Sequence, residues 1–312
     1  MSNIKLSIKA RVKLRFDRQA NKFKTPKGKK EKGGITINYK ERQEIIAKSP
    51  ISFSYLKKFN IGAGILQLIN GIAILSLTFL LKWPAGTSIY TFYLQFSHVS
   101  PTNPAITAVP NPQVLFTISH LGLLLAAFPL ISAVDHFLVA FPKNKSYNEN
   151  LKKGMNQYRW YEYAFSSSIM IWVIATFVGI WDFWSLAMIF VLNAMMIMFG
   201  YLMELINQKT ERTNWSAFIL GSISGGFPWV VLFAYFTGDI IASDNSVPNF
   251  VYMIFIIYLI LFMSFAVNQV LQYKGVGKWK DYLFGEREYI ILSFIAKTFL
   301  VWLVFVGLFK PF

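Results

Sequence analysis

Seven apolar runs of about 20 residues or slightly more dominate the chain: 59–81, 115–141, 160–180, 184–206, 215–237, 249–272 and 288–309. A hydrocarbon layer about 30 Å thick is crossed by about 20 helical residues at about 1.5 Å of rise each. An open strand in lipid would leave backbone groups unpaired, so each run is expected to be a helix. The expected fold is an all-α membrane protein, a bundle of seven transmembrane helices. The charged fraction of 15% agrees, since soluble domains usually carry about a quarter.

The connections predict the orientation. Residues 82–114 hold only Lys82, 181–183 hold Asp182 and no cation, and 238–248 hold Asp239 and Asp244 and no cation. Between them, 142–159 hold Lys143, Lys145, Lys152, Lys153 and Arg159, 207–214 hold Lys209 and Arg212, and 273–287 hold Lys274, Lys278, Lys280 and Arg287. Basic connections face the cytoplasm, so the N-terminus is expected inside and the C-terminus outside a plasma membrane crossed many times. The first outer connection contains TSIYTFYLQF, which partly alternates like a strand, and then SPTNPAITAVPNP. It is expected to be either a simple surface loop or a β-hairpin over the outer face that also serves a dimer contact.

The formal net charge of +16 is concentrated at one end, because seventeen of the 31 lysines and arginines lie in residues 1–58. That segment is expected to be a basic cytoplasmic arm drawn to anionic lipid, with the seven-helix domain in 59–312. Nucleic acid is the lesser reading of the same charge. Residues 20–34 have a disordered composition. Residues 4–16 alternate apolar and basic and suit a strand or an interfacial segment. No secretory leader is apparent. The absence of cysteine excludes disulfides and thiolate metal sites, and no His or carboxylate cluster has ligand spacing. No nucleophile motif or phosphate-binding glycine loop points to an enzyme.

Chief among the few ionisable residues within the runs are Asp135, His136, Glu162, Glu204 and Lys297. The first four fall in the cytoplasmic halves of their helices, while Lys297 lies near the middle of the last run. An ammonium there costs at least ~2.5–3.5 kcal/mol, so such lysines are rare and usually functional. It needs a carboxylate on a neighbouring helix. Two chemistries suit that pair: a structural ion pair in a transporter, or a Schiff base with an aldehyde balanced by the carboxylate. Ser293, one turn before Lys297 on the same face, either bonds this group or bonds back to its own helix.

Four stretches carry a resemblance: RWYEYAFSSSIM (159–170), NAMMIMFGYLME (193–204), FAVNQVLQYKGVGKWKDYLFGEREYIILSFIAKT (265–298) and DHFLVA (135–140). Over about residues 55–310 the chain resembles the heliorhodopsins, retinal-binding rhodopsins of inverted membrane topology. The resemblance implies that Lys297 carries retinal as a protonated Schiff base, that Glu162 is the counter-ion, and that Ser293 sits beside the Schiff base. It places His136 in a polar cavity on the cytoplasmic side and Asn193 and Gln269 in polar networks near the chromophore. Ser166, Met170, Met196 and Phe262 would lie at the retinal, although a methionine or aromatic on an apolar helix is more often plain packing. Many members have a helix 1 histidine in a pattern like LxHLxxG. This chain has ILQLING, with Gln67 in that place, and an amide takes up no proton near neutral pH.

The function so implied is a light sensor rather than an ion pump, with retinal, the lipid bilayer, a second copy of the chain and a cytoplasmic signalling protein as partners. The alternatives are a light-gated proton or ion channel, using Asp135, Glu204 and Glu162 as the inner part of a path, and a non-photic transporter. The outer half offers only polar groups such as Asn70 and His120, and His98 falls in the outer loop without a task.

Overall fold

A computed structural model describes residues 39–81, 86–100, 103–208, 210, 212–244 and 247–309. The stretches 4–16 and 20–34 and Lys82 lie outside the described residues. The elements are α1 Tyr39–Ala47, α2 Phe53–Leu80, β1 Thr87–Ser100, β2 Asn103–Ile118, α3 Gly122–Ala140, α4 Asn144–Lys152, α5 Gln157–Phe177, α6 Phe183–Ile206, α7 Ser216–Ala242, α8 Asn249–Lys274, a 3-10 turn Gly277–Lys280, and α9 Tyr282–Phe309.

Among the described residues seven helices have 19 residues or more, and they correspond to the seven apolar runs. Six are long and apolar enough to cross a membrane. The seventh, α5, carries Arg159 and Glu162 and buries side chains from Arg159 to Thr176. Its polar residues face protein, which lets a less apolar helix sit in the bundle. Side-chain caps start several helices: Ser52 accepts from the Tyr55 amide, Asn156 from the amides of Tyr158 and Arg159, and Asp182 from the Ser185 amide. Gly275, at φ 62°, closes α8 in the left-handed conformation that glycine adopts without strain. One apolar core joins Ile74 of α2, Leu125 of α3, Ile171 of α5, Leu186 of α6, Leu232 of α7, Phe255 of α8 and Val301 of α9.

The expected hairpin is present: β1 and β2 pair antiparallel from Thr87↔Ile118 to Ser100↔Asn103. The Pro-rich stretch is not a loop, because Pro110 and Pro112 lie within β2 opposite Leu94 and Phe92. A two-stranded ribbon has only edges, where proline's missing N–H costs no ladder bond. The hairpin base is tied to the α5–α6 connection: the Tyr90 amide donates to the Trp181 carbonyl at 2.8 Å, and Trp184 Nε1 donates to Thr91 Oγ1 at 3.1 Å.

Three helix starts fall six or seven residues from the sequence reading. Residues 115–118 belong to β2, so the second run becomes helical only at Gly122. The first long helix starts at Phe53, inside the segment assigned to the arm, because Ser52 caps it there. The last starts at Tyr282 and takes Glu286 into the interior, where it is 1% exposed. Partners for its carboxylate, described below, offset the cost of burying it.

At the end opposite the hairpin, α1 docks beside the α4–α5 connection and α8. The buried Arg42 guanidinium lies 4.6 Å from the Tyr273 ring centroid, and Ser49 Oγ donates to Asp281 Oδ2 at 2.5 Å. Gly154, at φ +71°, leaves room for this: a Cβ there would stand 2.9 Å from Arg42 Cδ. Gly154→Ala is expected to lower stability by about 1–3 kcal/mol, measurable as a drop in melting temperature of the detergent-solubilised protein.

Candidate functional site

Lys297 is 3% exposed on α9. Its Nζ donates to Glu162 Oε1 of α5 at 2.7 Å, to Ser293 Oγ at 2.9 Å and to Ser132 Oγ of α3. Ser132 Oγ donates to the same Glu162 oxygen at 2.6 Å. The Tyr163 ring centroid lies 5.1 Å from Nζ. Three helices thus supply every partner of the ammonium. Removing one partner of such a pair would cost about 3–5 kcal/mol.

Lys297 lines a largely apolar cavity of about 180 Å³. Lys297, Ser293, Ser166 and Met170 line it from α9 and α5, and Met196, Phe262 and Gln269 line it from α6 and α8. Gly225 on α7 is part of the wall, and a Cβ there would collide with Met196. Ser166 Oγ is buried without a partner. A desolvated primary amine on the wall of an apolar cavity suits an aldehyde on a long apolar chain. The carboxylate and two hydroxyls suit the cation that such a condensation leaves.

The remaining expected residues do not line this cavity, and Gln269 of its wall makes a further bond. Asn193 Nδ2 donates to Ser167 Oγ at 2.8 Å and Ser168 Oγ at 3.0 Å, joining α6 to α5. Gln269 Nε2 also reaches the Gly200 carbonyl at 3.3 Å. Gln67 is fully buried, and neither amide atom has a partner. His136 bonds through Nδ1 to Asn60 Oδ1 at 2.8 Å, so the α2 side chain facing the histidine is Asn60, about two turns before Gln67. Asp135 is half-buried. At the hairpin end, Asn70 Nδ2 donates to Thr298 Oγ1 at 2.9 Å and accepts from Trp302 Nε1 at 3.1 Å. His98 lies on β1, and the His120 ring packs on Phe79.

A second buried polar cluster was not expected from sequence. Arg159 donates to Glu204 Oε1 at 2.6 Å and to Glu286 Oε2. Glu204 also accepts from Trp160 Nε1 at 2.6 Å, Tyr282 Oη at 3.0 Å and the Asn156 amide at 2.9 Å. Glu286 Oε1 accepts from Asn156 Nδ2 at 2.7 Å and from Tyr147 Oη of α4 at 3.2 Å. Burial, and then the Glu286 carboxylate beside it, hold the Tyr147 phenol well above its ordinary range, so it stays protonated and donates. Tyr147 Oη in turn accepts from Asn60 Nδ2 at 3.3 Å. The signals in the sequence are thin: Ser132 lies one turn from His136, and Glu286 falls in the connection 273–287, outside the last apolar run.

The family model for heliorhodopsins matches residues 56–309. Among solved structures, the chain is similar to a thermophilic rhodopsin from Rubrobacter xylanophilus at 11% identity, over 81% of this chain and 96% of that one, with a TM-score of 0.51. At that identity the likeness shows the fold alone. No curated protein matches the chain.

Proposed function

The chain belongs to the heliorhodopsin family, and on that footing we propose that it is a light-absorbing photoreceptor in which Lys297 carries retinal as a protonated Schiff base with Glu162 as counter-ion. The carrying observation is the ion pair that Lys297, on the wall of an apolar cavity, makes with Glu162, Nζ to Oε1 at 2.7 Å. Bound retinal supplies the light absorption and the isomerisation that follows it. The residues supply the rest. Glu162 balances the cation, and the Ser132 and Ser293 hydroxyls hold its N–H side. Met170, Met196 and Phe262 keep water from the apolar length of the cavity.

The role is sensory or regulatory rather than enzymatic or pumping. Among the described residues the buried acidic, basic and imidazole side chains other than the Lys297–Glu162 pair are Arg42, His136, Arg159, Glu204 and Glu286. None of them lies toward the hairpin end, so a relay reaching both faces lacks its second half. We assign the α4 end, with the N-terminal arm, to the cytoplasm and the hairpin to the outside of a plasma membrane, following the basic connections. Exposed Phe92, Leu94 and Phe96 on β1 suit a homodimer contact, and the cytoplasmic face suits a signalling partner.

Purified protein mixed with all-trans retinal is expected to develop a visible band; absence of a band defeats the reading. Glu162→Gln removes the charge that stabilises the cation. Its visible band is expected either to move to longer wavelength or to be lost at a pH at least about one unit lower than in the parent. An unchanged spectrum and titration would remove Glu162 from the counter-ion role. Patch-clamp recording under illumination is expected to show no photocurrent, and a current reversing with the proton gradient would make the protein a conductor.

A further inference from the structure

Asn60 settles a question about His136 that the ring alone leaves open. Asn60 Nδ2 donates to the Leu56 carbonyl at 2.9 Å, in its own helix. A carbonyl only accepts, so this bond fixes which end of the amide is nitrogen. The atom facing His136 Nδ1 at 2.8 Å is therefore the amide oxygen. An amide oxygen also only accepts, so Nδ1 must carry the hydrogen. The next links run the same way: Asn60 Nδ2 to Tyr147 Oη at 3.3 Å, and Tyr147 Oη to Glu286 Oε1 at 3.2 Å. Every donor from His136 onward points toward the buried carboxylate.

We propose that Asn60 is a positioning residue that holds His136 in its Nδ1–H tautomer and so leaves Nε2 as the proton-accepting atom of the ring. His136 lies one turn from Ser132 on the same face of α3, and Ser132 touches both Lys297 and Glu162. The charged and titratable groups around the ring's part of the bundle are Lys297 of α9, Glu162 of α5, neighbouring Asp135, and Tyr147 and Glu286 through Asn60. On the photoreceptor reading, a proton that leaves the nitrogen at Lys297 makes that nitrogen neutral. Taken up at Nε2, it makes His136 an imidazolium. The Nδ1–H bond to Asn60 is then charge-assisted and stronger. The amide does not pass a proton on, so the charge stays at His136 and the Arg159 cluster beyond Tyr147 keeps its own protons.

Nitrogen-15 NMR of histidine-labelled protein tests this without any chromophore. The chain has three histidines, and His136→Gln assigns the signals of interest. At neutral pH Nδ1 is expected to be pyrrole-like and Nε2 pyridine-like. Asn60→Leu is expected to return His136 to the Nε2–H form that an unconstrained imidazole prefers, and Asn60→Asp, which keeps an acceptor, to hold the parent pattern. A parent spectrum with Nε2–H overturns the proposal, even if Asn60→Leu does not fold; so does an Asn60→Leu spectrum matching the parent. In retinal-loaded protein, Asn60→Leu is expected to change the flash-induced deprotonation rate at least about twofold, and Asn60→Asp less. If no pigment forms, the photoreceptor reading fails while the tautomer assignment stands on its own spectrum.

Discussion

Lys297→Ala is expected to abolish the visible band of retinal-loaded protein altogether, not merely to shift it. No other amine is close enough to substitute: among the described lysines Lys297 alone lines the cavity and alone is buried. The variant also leaves Glu162 and Ser132 in the interior without their cation. Breaking a buried pair from one side costs about 3–5 kcal/mol, so a loss of colour could reflect a loss of fold. The double variant Lys297→Ala, Glu162→Gln separates the two. It removes the stranded charge and is expected to recover most of the melting temperature while remaining colourless. A band that survives Lys297→Ala in folded protein would end the assignment of the attachment site.

Arg159→Met is expected to cause the largest loss of stability, about 3–5 kcal/mol, because it strands two carboxylates at once. Glu204 and Glu286 are each 1% exposed and are joined through this guanidinium. The Tyr289 ring, with its centroid 3.9 Å from the guanidinium carbon, covers the remaining face, and such a desolvated contact adds up to about 2 kcal/mol. Neutralising the partners as well, by Glu204→Gln and Glu286→Gln, should restore much of the loss, since a buried network replaced as a whole is often near neutral. Melting curves in one detergent would decide. A single variant as stable as the parent would mean that the two carboxylates are already protonated and need no cation.

These two clusters also mark where sequence reading succeeds and stops. The bundle was legible because its signal is local: a run of about 20 apolar residues needs no partner to be recognised. Lys297 was legible for the same reason, standing alone in such a run. Its pairing with Glu162 came from the motif RWYEY and was then met in space at 2.7 Å. Asn60 was missed because nothing distinguishes one amide from another along α2; only the distance to His136 selects it over Gln67. Glu286 falls outside the last apolar run, and its burial depends on Arg159 and Tyr147 from other helices and on Asn156, which caps α5. The prolines of β2 likewise leave loop and hairpin both open, because an edge position is a property of the sheet, not of the residue.

Glu286, Ser293 and Lys297 occupy one continuous helix, α9, at intervals of seven and four residues that keep them on one side of it. The two polar clusters are therefore two latches on a single rod. A turn or slide of α9 that shifts Lys297 relative to Glu162 also drags Glu286 against Arg159 and Tyr147, because about 16 Å of unbroken helix transmits the displacement without slack. Tyr147 stands on α4, outside the long helices, so the far latch engages a part of the molecule that an event in the cavity never touches.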